Sequence, residues 1–207
     1  MSAGHGIAHA ELEIRPGSRD ASADYVKGAQ MWLAQPEATR HGASRFTHHK
    51  DLPVAELAGG EAHVLVGTFA GVASPVESDW PVVGAELRLR GGSVETQLLA
   101  QFEHGVVPID RPIRIDDVIV EPGSIAIIPT GFDQVRVEAE TGSGRVMVIG
   151  GEPFPDQVQM WWNFVARSKV EITQAWRDWQ SHDDDRFVPV HSRLDRINAP
   201  KPFWVKD

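Results

Sequence analysis

Two residues near the start of the chain could hold a metal ion. In Gly6-Ile7-Ala8-His9-Ala10-Glu11 an imidazole and a carboxylate lie two residues apart. On an extended strand such residues share one face, so His9 and Glu11 would converge. Nitrogen and oxygen donors with open positions suit Fe(II), Mn or Ni better than a closed structural zinc. A catalytic centre usually wants three or more protein donors, and this spacing supplies two. His5 precedes His9 by four residues, about 13 Å if the chain is extended, so it joins only through a reversal at Gly6. His41, His48 and His49 fall in a polar stretch that reads as solvated surface, and none of His63, His104, His182 and His191 is read as a ligand. No Gly-x-Ser-x-Gly elbow or phosphate-binding glycine loop is present.

The elements that must position these residues read mostly as strands. Residues 1–14 read as a strand carrying His9 and Glu11, and Val26–Leu33 as a second, closed by Pro36. His41–Pro53 reads as a surface connector. From Ala62 onward, short apolar segments are separated by Gly, Pro and Asp: His63–Phe69, Ala85–Leu89, Glu95–Phe102, Val118–Val120, Ser124–Ile128, Asp133–Ala139 and Arg145–Ile149. This rhythm predicts a barrel or sandwich, with Thr141–Gly144 as a turn. Ser168-Lys169-Val170-Glu171 forms a capping box. Ile172, Ala175, Trp176 and Trp179 then recur at helical spacing, predicting an apolar-faced helix over Lys169–Gln180 that packs on the barrel. The tail to Asp207 reads as extended and partly mobile.

Composition narrows the function classes. The 207 residues are 42 % hydrophobic with seven tryptophans, enough for a sizeable core. A net charge of −9 argues against nucleic acid or an anionic membrane as a partner. With no cysteine, disulfides, thiolate metal sites and a cysteine nucleophile are excluded. No apolar run approaches the roughly 20 residues that span a bilayer, and no signal-peptide pattern opens the chain. A soluble cytoplasmic protein is expected.

One segment carries a more specific pattern. Gly123, five residues, Pro129-Thr130-Gly131, two residues and Gln134 resemble the second signature motif of the cupin barrels, whose last position is a metal-binding histidine. The first cupin motif would place His-x-His five residues beyond Gly92, where this chain has Leu98-Leu99-Ala100. Aliphatic side chains cannot ligate a metal, so Pro81–Gly151 resembles a cupin that kept its turns and lost its chemistry. Three further blocks resemble the pirin family in the same order: Gly6–Glu11, then Gly28-Ala29-Gln30-Met31-Trp32-Leu33 with Pro36, then Gly150-Gly151-Glu152-Pro153-Phe154 with Trp161–Val165 and the capped helix.

That resemblance implies an all-β, cupin-type jelly-roll fold with a short C-terminal helix, one half of a bicupin. A pirin's N-terminal barrel binds one metal, usually iron, through three histidines and a glutamate. A His-x-Glu pair supplies two of them and maps to His9 and Glu11. The other two come from a His-Pro-His motif, and no His-x-His occurs here. The expectation is therefore a pirin that is N-terminally truncated or whose start is mis-assigned. Residues 1–60 would be the remnant of the first cupin with a connector, 61–165 the C-terminal cupin, and 166–207 the helix and tail. The implied activity is a quercetin 2,3-dioxygenase-type oxidation, impaired in this chain by an incomplete metal site, with Glu11 as ligand and as base toward the flavonol hydroxyl. Its cofactor would be Fe(II) or another divalent transition metal, held weakly or not at all in this chain. The implied partners are a flavonol-like small molecule, or a protein partner or second copy. The alternative is a non-catalytic, transcriptional cofactor-like interaction module.

Overall fold

The structure is a computed structural model that describes residues 1–11 and 29–206. The described residues form two compact units, one of His48–Pro155 and one of Met1–Thr47 with Asp156–Asp207. These boundaries lie at 47/48 and 155/156, and the second unit joins segments that the sequence alone assigned to separate regions.

The unit of residues 48–155 is the cupin barrel. Its strands are β1 (Val54–Leu57), β2 (Gly60–Val66), β3 (Thr68–Phe69), β4 (Val72–Ala73), β5 (Val82–Leu89), β6 (Gly92–Gln97), β7 (Glu103–Pro108), β8 (Ile113–Ile115), β9 (Val118–Val120), β10 (Ala126–Ile128), β11 (Gln134–Ala139) and β12 (Gly144–Gly151). One antiparallel sheet runs β1-β2-β5-β12-β7-β10 and a second runs β6-β11-β8-β9. Residues alternate across each strand, and register lines the inward set into rows. One row crosses five strands as Val64, Ala85, Val148, Val106 and Ala126. The next holds Ala62, Leu87 and Val146, all fully buried. Val94, Val135, Val137 and Ile113 of the second sheet close the core. The Thr141–Gly144 turn joins β11 to β12, with Gly142 at φ +65°. In the β3–β4 hairpin, Ala70 and Gly71 adopt φ of +48° and +78°, the left-handed pair of a two-residue turn.

The other unit holds a hairpin, β13 (Gln159–Trp161) and β14 (Phe164–Ala166), and the helix α1 (Lys169–Gln180). Ser168 caps α1 by accepting from the Glu171 amide. The Glu171 carboxylate bonds one residue further back than the capping box predicts, accepting from the Arg167 amide at 2.8 Å. Ile172 and Ala175 are the buried helix positions and pack with Phe164, Ala166, Phe187 and Ala199. The tail carries no helix or strand, as expected, but it is held in place. The indole N–H of Trp161 donates to Pro200, that of Trp176 to Ala199 and that of Trp179 to Ile197, while Trp204 donates to Thr173 Oγ1. These bonds satisfy the indole N–H groups and tie the tail to β13 and α1.

The strand expected at residues 1–14 is also corrected. Residues 5–11 lie outside any strand and Ser2 makes one bridge, to Arg45; residues 12–14 lie outside the described residues. The reason is local. Gly4 adopts φ +54° with its α-carbon against the Gly42 carbonyl, and its amide donates to Gln35 Oε1. The backbone thus bonds to the 35–45 turn rather than to a ladder. Within Val26–Leu33, residues 29–33 are not strand either, and 26–28 lie outside the described residues.

Candidate functional site

His9 and Glu11 do face one another. Nε2 of His9 lies 4.0 Å from Oε1 of Glu11, with the side chains 41 % and 79 % exposed. A same-side disposition of residues i and i+2 thus survives without a sheet to enforce it. Glu11 also meets a side-chain relay that spacing could not show. Gln30 Nε2 donates to Glu11 Oε1 at 3.5 Å, and Trp32 Nε1 donates to Gln30 Oε1 at 3.1 Å. Gln30 and Trp32 belong to the Gly28–Leu33 block, so their recurrence beside Gly6–Glu11 was the signal available.

The other histidines near this end do not complete a centre. The rings of His5 and His41 are 6.2 Å apart, and His41 Nε2 is 3.9 Å from Glu37 Oε1. Among the described residues no group of three or more His, Cys, Asp or Glu side chains could hold a metal ion. Two exposed donors fall short of the three or four that fix a catalytic ion, so the described residues do not by themselves fit one.

The polar stretch around His41 has a structural task in its own unit. Arg40 Nη2 donates to Glu171 Oε1 at 2.9 Å and also pairs with Glu37. The Arg40 hydrogen bond, followed by the Arg167 amide, holds the Glu171 carboxyl below its ordinary range.

In the barrel the turns of the motif are kept, while its ligand positions hold other side chains. Leu98 is buried in the core, with its amide donating to the Asp133 carbonyl at 2.7 Å. Gly131 N–H donates to the Ala100 carbonyl at 2.7 Å. Gln134 opens β11 as the register partner of Gln97 and is exposed. The turns of the motif therefore persist as hydrogen-bonded structure around aliphatic and amide side chains. Spacing gave no role to His104, which is buried at the start of β7. Burial holds its pKa below the ordinary value, and the Phe102 backbone opposes this only in part.

Similarity to known proteins agrees with this architecture. Residues 84–185 match the family described as the pirin C-terminal cupin domain. The chain is 36 % identical over 202 residues to the "Putative quercetin 2,3-dioxygenase PA1205" of Pseudomonas aeruginosa, covering 97 % of this chain and 60 % of that protein. It is 30 % identical to a pirin-like protein of Caulobacter vibrioides, covering 92 % of this chain and 67 % of the relative. A crystal structure of quercetin 2,3-dioxygenase from Acinetobacter baumannii superposes with a TM-score of 0.78 at 32 % identity, covering 84 % of this chain and 59 % of that one. The fold and its turns define a cupin. The chain belongs to the pirin family, and it spans about 60 % of the length of the Pseudomonas relative. No described helix is long and apolar enough to cross a membrane.

Proposed function

We propose that the chain serves a quercetin 2,3-dioxygenase-type oxidation of a flavonol-like molecule, with His9 and Glu11 as two donors of a larger ligand set for a divalent transition metal. The observation that carries this is the 4.0 Å approach of His9 Nε2 to Glu11 Oε1, in a chain 36 % identical to a protein of that description. The described residues fall short of a metal centre, and the chain's own contribution is to proton handling and orientation. Glu11 is the base toward the flavonol hydroxyl, its carboxylate oxygen taking the proton. Gln30, itself bonded by Trp32 at 3.1 Å, is the side chain that reaches that carboxylate, at 3.5 Å.

The test is metal titration by calorimetry with Mn(II) and Ni(II), alongside oxygen uptake with quercetin. Binding should weaken at least tenfold in His9→Ala and in Glu11→Gln. A stoichiometric transition metal that both substitutions leave unchanged would remove these residues from the site. The second reading, a non-catalytic interaction module, has one observation in its favour. Trp32 and Leu33 are nearly half exposed, and Trp32 borders Glu11 through Gln30. Stoichiometric partner binding with no quercetin turnover by metal-loaded protein would favour it.

A further inference from the structure

One end of the barrel combines an uncharged groove with a surplus of acid. The barrel unit carries the chain's whole net charge of −9. Each of its arginines already pairs with a carboxylate of the same unit. No Lys or Arg occurs in residues 51–87, 91–110 or 115–135. Two connections from those stretches meet at this end: residues 98–102 between β6 and β7, and residues 129–133 between β10 and β11. The Leu98 amide donates to the Asp133 carbonyl and the Gly131 amide to the Ala100 carbonyl, both at 2.7 Å.

The groove lies between the first connection and the β3–β4 hairpin. It is lined by Gln97, Leu98 and Leu99 with Thr68, Ala70 and Gly71, and its volume is about 280 Å³. None of these residues is charged. Leu98 is buried, while Leu99 is 43 % exposed and Phe132, on the second connection, 56 %. Glu103 opens β7 opposite Gly151, Glu152 follows β12, and the Asp133 backbone bonds to Leu98. All three acids are exposed, and none has a basic partner among the described residues. Arg136, the first arginine after Asp133, is held by Glu138 at 3.1 Å.

Large apolar side chains left in water gain free energy when a partner covers them. Carboxylates without a partner select that partner by sign. A second copy meeting this end with its own would set acid against acid, which disfavours it. The groove, at about 280 Å³, exceeds the roughly 150 Å³ that admits benzene, so one large apolar side chain fits. We infer that this end of the barrel docks a short segment of a partner protein, an aliphatic or aromatic anchor flanked by lysine or arginine. The anchor enters the groove against Leu98 and Leu99, and the cations meet Asp133, Glu103 and Glu152. The surface belongs to the barrel unit, involves neither His9 nor Glu11, and stands whether or not those residues bind metal.

The test uses the full chain and three fluorescein-labelled hexapeptides, read by anisotropy. One has two leucines between pairs of lysines, another replaces the lysines by glutamates, and the last replaces the leucines by serines. The lysine–leucine peptide should bind about tenfold tighter than either counterpart and weaken as salt rises. Amide shifts should centre on Gln97–Leu99 and Gly131–Asp133. Asp133→Lys should weaken it about tenfold, and Leu99→Ser about fivefold, both with the melting temperature kept. If Leu99→Ser lowers the melting temperature, Asp133→Lys alone decides. Equal binding of either counterpart overturns the inference. So does no binding by any peptide, or an affinity that neither substitution changes.

Discussion

Glu171 bonds at once to the Arg40 guanidinium and the Arg167 amide, so its charge is worth more folded than unfolded. Its carboxyl lies below the ordinary value of 4.5, first through Arg40. A lowered folded pKa gives stability that is present above 4.5 and lost as pH falls through the folded value. Glu171→Gln should cost about 1–2 kcal/mol at neutral pH, a charged hydrogen bond discounted for its exposure. Its urea midpoint should approach that of the native chain once the carboxyl is protonated in acid. A gap that stays constant with pH would mean the charge does not matter. His104 has the opposite acid–base character. Burial lowers its pKa below the ordinary value of 6.5, so the unfolded chain binds the extra proton. Stability should be full above 6.5 and fall as pH drops from there toward the lowered folded value. The C2 proton of His104, followed by NMR, should titrate below 6.5; a folded pKa at or above it contradicts the burial argument.

Among the elements, α1 was the most legible, and its determinants are local. A Ser at the cap, a Glu three residues on and apolar positions at 3.6-residue spacing all lie within Ser168–Trp179. Ser168→Ala should cost about 1 kcal/mol and Ile172→Ala about 3 kcal/mol, both read as denaturant midpoints; equal costs would mean that the buried face of the helix stabilises it no more than the cap does. Strands with clean alternation, such as Gln134–Ala139, were legible for the same reason. β7 was not read as a strand, because Gly105 and Pro108 interrupt its pattern and its partners Ala126 and Val148 are distant in sequence. Residues 1–11 failed the other way, since their period was strand-like while Gly4 sends the backbone to the 35–45 turn. The β3–β4 hairpin carries a misfit, Ala70 at φ +48°. Asn accepts that conformation more readily, so Ala70→Asn should stabilise by about 0.5–1 kcal/mol; a lower melting temperature would show that the strain is illusory.

Across the whole molecule, hydrogen bonding is uneven, and the candidate metal donors lie where it is sparse. β5 is laddered on both sides by β2 and β12, and β12 by β5 and β7. Residues 1–11 and 29–47 have one bridge and scattered turn bonds. The identity of the two donors was legible because i and i+2 is a local relation. What else would complete a ligand set is a matter of residues brought together by folding, which spacing does not show. Hydrogen exchange connects these facts, because amides open with free energies set by their local bonding. Exchange should be slowest in β5 and β12, faster in the edge strands β1 and β10, and fastest in Gly6–Glu11. Metal that binds the native chain and not the unfolded one protects what it orders. Mn(II) or Ni(II) should therefore slow exchange at Ile7–Glu11 in the native chain and have no such effect in His9→Ala. If those amides are already as slow as β12, the donor pair is preorganised by contacts stronger than the Gln30 relay. If bound metal leaves them unchanged, His9 and Glu11 are surface residues and the ion sits elsewhere.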